Sequence, residues 1–173
     1  MADKHPSRED CMALLAQYHT PDHVIKHCIK VTDTALKIGQ ALNDKGCSLD
    51  LGLIQGAGLI HDIARVEEKH WEIGAKIAED LGYYAEAEII RVHMFYNCDP
   101  DKVRITETDV LCLADRMVKE DEYVGLDNRM QFILDKFQGN PEAFAHISER
   151  IRDNKLMIGR IEKILGVPIG SVV

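Results

Sequence analysis

The sequence predicts an all-α protein, a single-domain bundle of about six to eight helices. Apolar residues recur at helical spacing through almost all of the 173-residue chain, and no convincing run of alternating β-branched residues interrupts them. Most segments also begin or end on residues that cap helices. No internal repeat, low-complexity tract or Pro/Gly/Ser-rich linker divides residues 1–173, so they read as one domain.

Each element follows from local chemistry. A first helix is expected over about residues 7–18, where Ser7 can cap and Asp10 stands at the capping-box spacing. A second starts near Thr20-Pro21-Asp22, with Thr20 as cap and Pro21 at the first helical position. Its apolar stripe is Val24, Cys28, Val31, Ala35, Ile38 and Leu42, and His27 lies on or beside that stripe. A third, over about residues 50–63, is apolar nearly all round and carries Gly56, Ala57 and Gly58, the composition of a central, closely packed helix. A fourth covers about residues 70–81 and stops at Gly82, and a fifth covers about residues 85–94. After a loop around Asp99-Pro100, Thr106 and Asp109 open a helix running through VLCLADRMV. Two C-terminal helices follow within about residues 126–165, and Gly166 and Pro168 end the last.

Composition narrows the function. With 46% hydrophobic and 29% charged residues this is a soluble globular chain, and 6% aromatics leaves the core to Leu, Ile, Val, Ala and Met. A net charge of −8 argues against binding a nucleic-acid polymer, but not against a small anion in a cleft that holds a metal and local cations. Five scattered cysteines without a C-x-x-C pair predict buried free thiols in a reducing compartment. The opening MADKHPSRED has no apolar leader core, and the longest apolar stretch, near residues 51–64, is too short to span a bilayer. The expectation is a cytoplasmic protein without a membrane partner.

The strongest chemical signal is His61-Asp62 at the end of an apolar helix. A buried carboxylate costs several kcal/mol unless a cation or hydrogen bonds compensate, and a divalent metal supplies that compensation. His27 lies on a core-facing stripe and Asp115 follows LCLA in another apolar run. Two imidazoles and two carboxylates suit a borderline metal such as Mn, Fe, Co, Ni or Zn. Glu67 and Glu68 read as a solvated charge cluster, and His5, His19, His23 and His146 as surface residues. The polar stretch over residues 119–129 could border the cleft.

The order His27, His61-Asp62, Asp115 resembles the H…HD…D signature of HD-domain phosphohydrolases of the HDIG type. The flanks VIKHCIKVTDTALKIGQAL, GLIHDIARVEEKHWEIGAKIAEDLG and LADRMV are similar to that family's motif segments, over about residues 21–119. The resemblance implies the HD-type helical fold, a metal centre of one or two ions, and hydrolysis of a phosphomonoester or phosphodiester by metal-activated water. It implies a small phosphorylated substrate, a nucleotide by preference, with a homodimer as a candidate assembly. It makes His27, His61, Asp62 and Asp115 ligands of a first ion. In subfamilies with two ions it adds His70 and His93 and places Asp62 between them. The catalytic roles it implies fall on Asp62 and on Arg65, which stands where the family has lysine and could bind a phosphate oxygen. Ala64 replaces the glycine of HDIG, Trp71 stands where proline usually falls, and MFYN after His93 departs from the continuation found in cyclic dinucleotide phosphodiesterases. A non-catalytic metal- or nucleotide-binding regulatory module is the alternative.

Overall fold

The structure, a computed structural model, describes residues 5–173. Residues 1–4, the start of the segment read as lacking a leader, lie outside the described residues. Eight α-helices make up most of the described chain, as the periodicity predicts. No helix among the described residues is long and apolar enough to cross a membrane.

Helix α1, Arg8–Gln17, opens with the expected capping box: Asp10 N–H donates to Ser7 Oγ (3.1 Å) and Ser7 N–H to Asp10 Oδ2 (3.0 Å). Helix α2, Asp22–Asp44, starts differently from the prediction. Pro21 is the extended N-cap residue, and the Thr20 hydroxyl does not cap. It donates instead to the Ile63 carbonyl (2.9 Å), tying the start of α2 to the turn that follows His61-Asp62. The predicted stripe of α2, from Val24 to Leu42, is buried throughout.

Helix α3, Leu51–Ile60, is capped by Asp50, whose Oδ1 accepts the Leu53 N–H (3.1 Å). Gly58 lets α3 press against α2: a Cβ there would lie 2.6 Å from Thr32 Oγ1. The sequence carries α3 on to about residue 63, but it stops at Ile60 because the His61 side chain takes the Gly58 carbonyl (2.7 Å). In a continuing helix that carbonyl would accept from the Asp62 N–H. Helices α4, His70–Asp80, and α5, Tyr84–Val92, pack on each other, and Gly82 turns the chain between them at φ +84°.

The following loop is held from below. Arg160 donates to the Val103 carbonyl (2.8 Å), and Tyr96 Oη (2.6 Å) and Lys102 Nζ (2.7 Å) meet the buried Asp109. Helix α6, Glu107–Asp115, has the predicted Thr106–Asp109 capping box but ends at Asp115, short of the predicted VLCLADRMV. Two short antiparallel strands follow, β1 Val118–Lys119 and β2 Glu122–Tyr123, a hairpin the sequence reading did not foresee. Helices α7, Leu126–Lys136, and α8, Pro141–Leu165, complete the bundle, with Asn140 capping α8 and Gly166 ending it.

The core forms two clusters. The larger joins α2, α3, α6 and α8 around Ile38, Ile54, Leu113 and Met157. The smaller joins α1, the end of α3, α4 and α5 around Leu15, Ile60, Ile63 and Ile90.

Candidate metal centre

Five helices bring one chemistry-bearing residue or pair each to a common place. His27 comes from the second turn of α2, His61 and Asp62 from the end of α3, and His70 from the first position of α4. His93 caps the end of α5, and Asp115 is the last residue of α6. Three of these are helix C-termini, where aligned peptide dipoles leave partial negative charge that favours a cation.

The imidazoles are oriented by backbone carbonyls. His61 Nδ1–H donates to Gly58, His93 Nδ1–H to Ile90 and His27 Nδ1–H to Glu120, each at 2.7 Å. Every one of these bonds fixes the tautomer and turns Nε2 toward the cluster, the arrangement of metal-ligating histidines. The Glu120 carbonyl reaches His27 from the hairpin turn, where Glu120 holds a left-handed φ of +56°.

His27 Nε2 lies 3.0 Å from Asp115 Oδ1, and His61 Nε2 lies 3.9 Å from the same oxygen. The two oxygens of Asp62 face different rings. Oδ2 lies 3.8 Å from His61 Nε2, whereas Oδ1 lies 3.1 Å from His70 Nε2 and 3.4 Å from His93 Nε2. Two overlapping groups with atoms mutually within 4.8 Å result: His27, His61 and Asp115, and His61, Asp62 and His93. His61 is common to both. The structure thus gathers His27, His61, Asp62, Asp115, His70 and His93, all six predicted ligands, with Asp62 closer to His70 and His93 than to His61.

Electrostatics keeps the carboxylates ionised. Burial opposes the charge on Asp62, but His61, His70 and His93 outweigh it and hold its carboxyl below the usual range. Burial likewise opposes Asp115, and His27 and His61 hold it low. Burial pushes His61 down, toward the neutral form that ligates. The carboxylates overcome burial and raise His27 and His93. His61 Nε2, His70 Nε2, His93 Nε2 and Asp62 Oδ1 are buried without an aligned hydrogen bond. Buried polar atoms without partners at such density call for one, and the mixed imidazole–carboxylate set fits a divalent ion.

The cluster opens into a cavity of about 640 Å³ lined by His23, Val24, Lys26, His27, Asp62, Arg65, His93, Met94, Asp115, Arg116, Glu120, Asp121, Arg129, Met130, Ile133 and Arg150. Arg65 is half-exposed at its edge, with Nε 3.4 Å from Asp62 Oδ2 and Nη1 3.4 Å from His70 Nδ1. Burial, and then the charge of Arg116, pushes Arg150 below the ordinary arginine value.

The sequence model of the HD domain family matches residues 24–119, more than half of the chain. The chain belongs to the HD-domain family. HD-domain proteins bind divalent metals and are mostly hydrolases, and the matched span carries all six clustered residues. The chain is 32% identical over 72 residues to Uncharacterized protein MJ0778 of Methanocaldococcus jannaschii, an alignment covering 40% of this chain and 43% of that protein. It therefore spans less than half the length of that relative. No solved structure matches.

Other sequence expectations need correction or extension. His5 is not a free surface residue: it pairs with Glu86 and Asp50. His23 is exposed but lines the cavity, while His19 and His146 are exposed. Glu120, Asp121 and Arg129 show that the polar stretch does border the cleft. Arg116 and Arg150 carry no local signal for the cavity: Arg116 follows Asp115 at the end of α6, and Arg150 reaches the cavity only through the packing of α8. The five cysteines are free, and burial pushes Cys11 up to about 12 and Cys98 to about 11, leaving those thiols protonated.

Proposed function

We propose that this HD-domain protein is a metal-dependent phosphohydrolase that cleaves a phosphomonoester or phosphodiester bond in a small nucleotide or related substrate. The observation that carries the reading is the set of buried, unpaired imidazole and carboxylate atoms beside a cavity lined by Lys26, Arg65, Arg116, Arg129 and Arg150. His27, His61, Asp62 and Asp115 would hold one divalent ion. His70 and His93, facing the second oxygen of Asp62, would hold another. A divalent ion bound there supplies Lewis acidity and an activated water.

The chain's own residues do the rest. The Gly58, Ile90 and Glu120 carbonyls keep the Nδ1 protons in place, so that Nε2 of His61, His93 and His27 stays directed inward. Arg65 offers a planar donor fork at the edge of the cluster, suited to a nonbridging phosphate oxygen. No Ser, Thr or Cys lines the cavity among the described residues, which favours water over a hydroxyl or thiol side chain as the nucleophile.

The test is turnover of a panel of nucleotides with added Mn²⁺, Co²⁺ or Ni²⁺, together with the metal content of the purified protein. Metal-dependent release of phosphate or nucleoside is expected, and its loss along with bound metal in His61→Ala. A metal-to-chain ratio near two would support the roles of His70 and His93. Tight metal binding without turnover would instead favour a regulatory module, and activity surviving His61→Ala would end the assignment.

A further inference from the structure

Besides the histidine–carboxylate cluster, the cavity is lined by three arginines without an acidic partner among the described residues. Arg116, just beyond α6, is only 6% exposed, and its guanidinium donates to Asn154 Oδ1 (3.0 Å) and to the Tyr96 carbonyl. Arg150, on α8, donates to the Met94 carbonyl (3.2 Å). Arg129, on α7, makes no side-chain hydrogen bond among the described residues, and its Nε is buried. Other arginines of the chain find carboxylates: Arg91 meets Glu79, Arg152 meets Glu149, and Arg8 meets Asp33. Two of the cavity arginines are therefore held by neutral carbonyl and amide oxygens, and their charge is left unmatched. A buried donor without an acceptor is destabilising, the more so when it belongs to a charged group.

The anionic groups bordering the cavity do not relieve this. Asp62 and Asp115 face imidazoles, and Glu120 and Asp121 are exposed on the hairpin turn, without an ion pair to any of the three arginines. In a chain of net charge −8, three guanidinium groups lining one cavity, none of them in an ion pair among the described residues, is the composition of an anion-binding surface.

We propose that Arg116, Arg129 and Arg150 form a second anion subsite in the cavity, which binds an oxyanion group other than the one presented to the histidine–carboxylate cluster. The subsite selects small molecules with two separated anionic groups: two phosphates, or a phosphate and a carboxylate. That statement about substrate rests on the phosphohydrolase reading; the anion subsite itself does not. Arg129 and Arg150 lie beyond the matched span 24–119, so two of the three groups come from the C-terminal helices, and Arg116 directly follows the candidate ligand Asp115.

Calorimetric titration of the full-length, metal-loaded protein with inorganic phosphate, and separately with acetate, tests this. Arg129 is the residue to change, since Arg116 and Arg150 also hold the fold through their carbonyl and amide partners. Two classes of phosphate site are expected in the wild type. Arg129→Gln should weaken one of them about tenfold or more, and Arg129→Lys should retain most of it. An acetate site that depends on Arg129, with phosphate unaffected, would support the subsite and assign it to carboxylates. If Arg129→Gln and the double change with Arg150→Gln bind both anions as the wild type does, the subsite does not exist. His61→Ala separates the two ideas: loss of metal-dependent phosphate binding there leaves the Arg129-dependent site in place. A wild type showing the Arg129-dependent site without any metal-dependent one would count against the phosphohydrolase reading while upholding the subsite.

Discussion

Glu86 is almost wholly buried, and His5 answers it: Nδ1 lies 2.6 Å from Glu86 Oε1 while Nε2 lies 3.1 Å from Asp50 Oδ2. Burial works against the charge on His5, but the two carboxylates prevail and raise its pKa. A raised folded-state value means that the contribution of the imidazolium is complete below the ordinary histidine pKa near about 6.5. It is lost as pH rises through the folded value. Asp50 behaves in the opposite sense. Its pKa is lowered, burial being outweighed by the Leu53 N–H and by His5, so its contribution is lost as pH falls through that lowered value. The melting-temperature gap between wild type and His5→Gln should therefore be wider at about pH 5.5 than at about pH 8.5. An equal gap at both would mean that His5 acts by packing alone. No sequence pattern marks His5, because its partners stand 45 and 81 residues away. The candidate ligand residues were legible for the opposite reason. Asp62 directly follows an apolar helix, where a carboxylate must be compensated to be buried, and the ordered set repeats a family signature.

At the scale of elements, α3 fixes the position of His61-Asp62, and Gly58 fixes α3. The Cβ of an alanine there would lie 2.6 Å from Thr32 Oγ1 and 3.2 Å from Leu111 Cδ1. Thr32 is fully buried and its hydroxyl is bound to the Cys28 carbonyl (2.7 Å), so it has no room to yield. Gly58→Ala should cost about 1–3 kcal/mol by overpacking, and should loosen His61 because the Gly58 carbonyl holds its Nδ1 proton. Chemical denaturation measures the first effect and metal affinity the second. A variant as stable as wild type would show that the α2–α3 contact is soft. The helices were legible because apolar spacing and caps act locally, as with Ser7–Asp10 and Thr106–Asp109. The hairpin after α6 was not. A two-residue turn with positive φ at its first central position favours glycine there, and this chain places Glu120. The usual hairpin signal is therefore absent from KEDEY. The premature end of α3 was equally hidden, since it depends on which carbonyl the His61 ring takes.

For the whole molecule, the ends of α2, α3, α4, α5 and α6 meet at one cluster whose buried Nε2 and Oδ1 atoms lack aligned partners. An ion on His27, His61, Asp62 and Asp115 would cross-link α2, α3 and α6, and a second on Asp62, His70 and His93 would add α4 and α5, beyond the imidazole–carboxylate pairs already present. Binding to the folded state alone adds about 2.7 kcal/mol at a free metal concentration near 100 times Kd. For a chain of this length, each kcal/mol moves the melting temperature by about 2–4 °C. Loading the chelator-stripped protein with Mn²⁺, Co²⁺, Ni²⁺ or Zn²⁺ should therefore raise melting by about 5–10 °C for the metals that fit. The same additions to His61→Ala should leave melting nearly unchanged, because both groups of candidate ligands include His61. His93→Ala removes a ligand from one group alone, so it should keep most of the shift if a single ion on His27, His61 and Asp115 dominates, and lose about half if both groups are filled. Identical melting of stripped and loaded wild type would show that the cluster is a hydrogen-bonded core without an ion, and hydrolysis would then need another source of activated water.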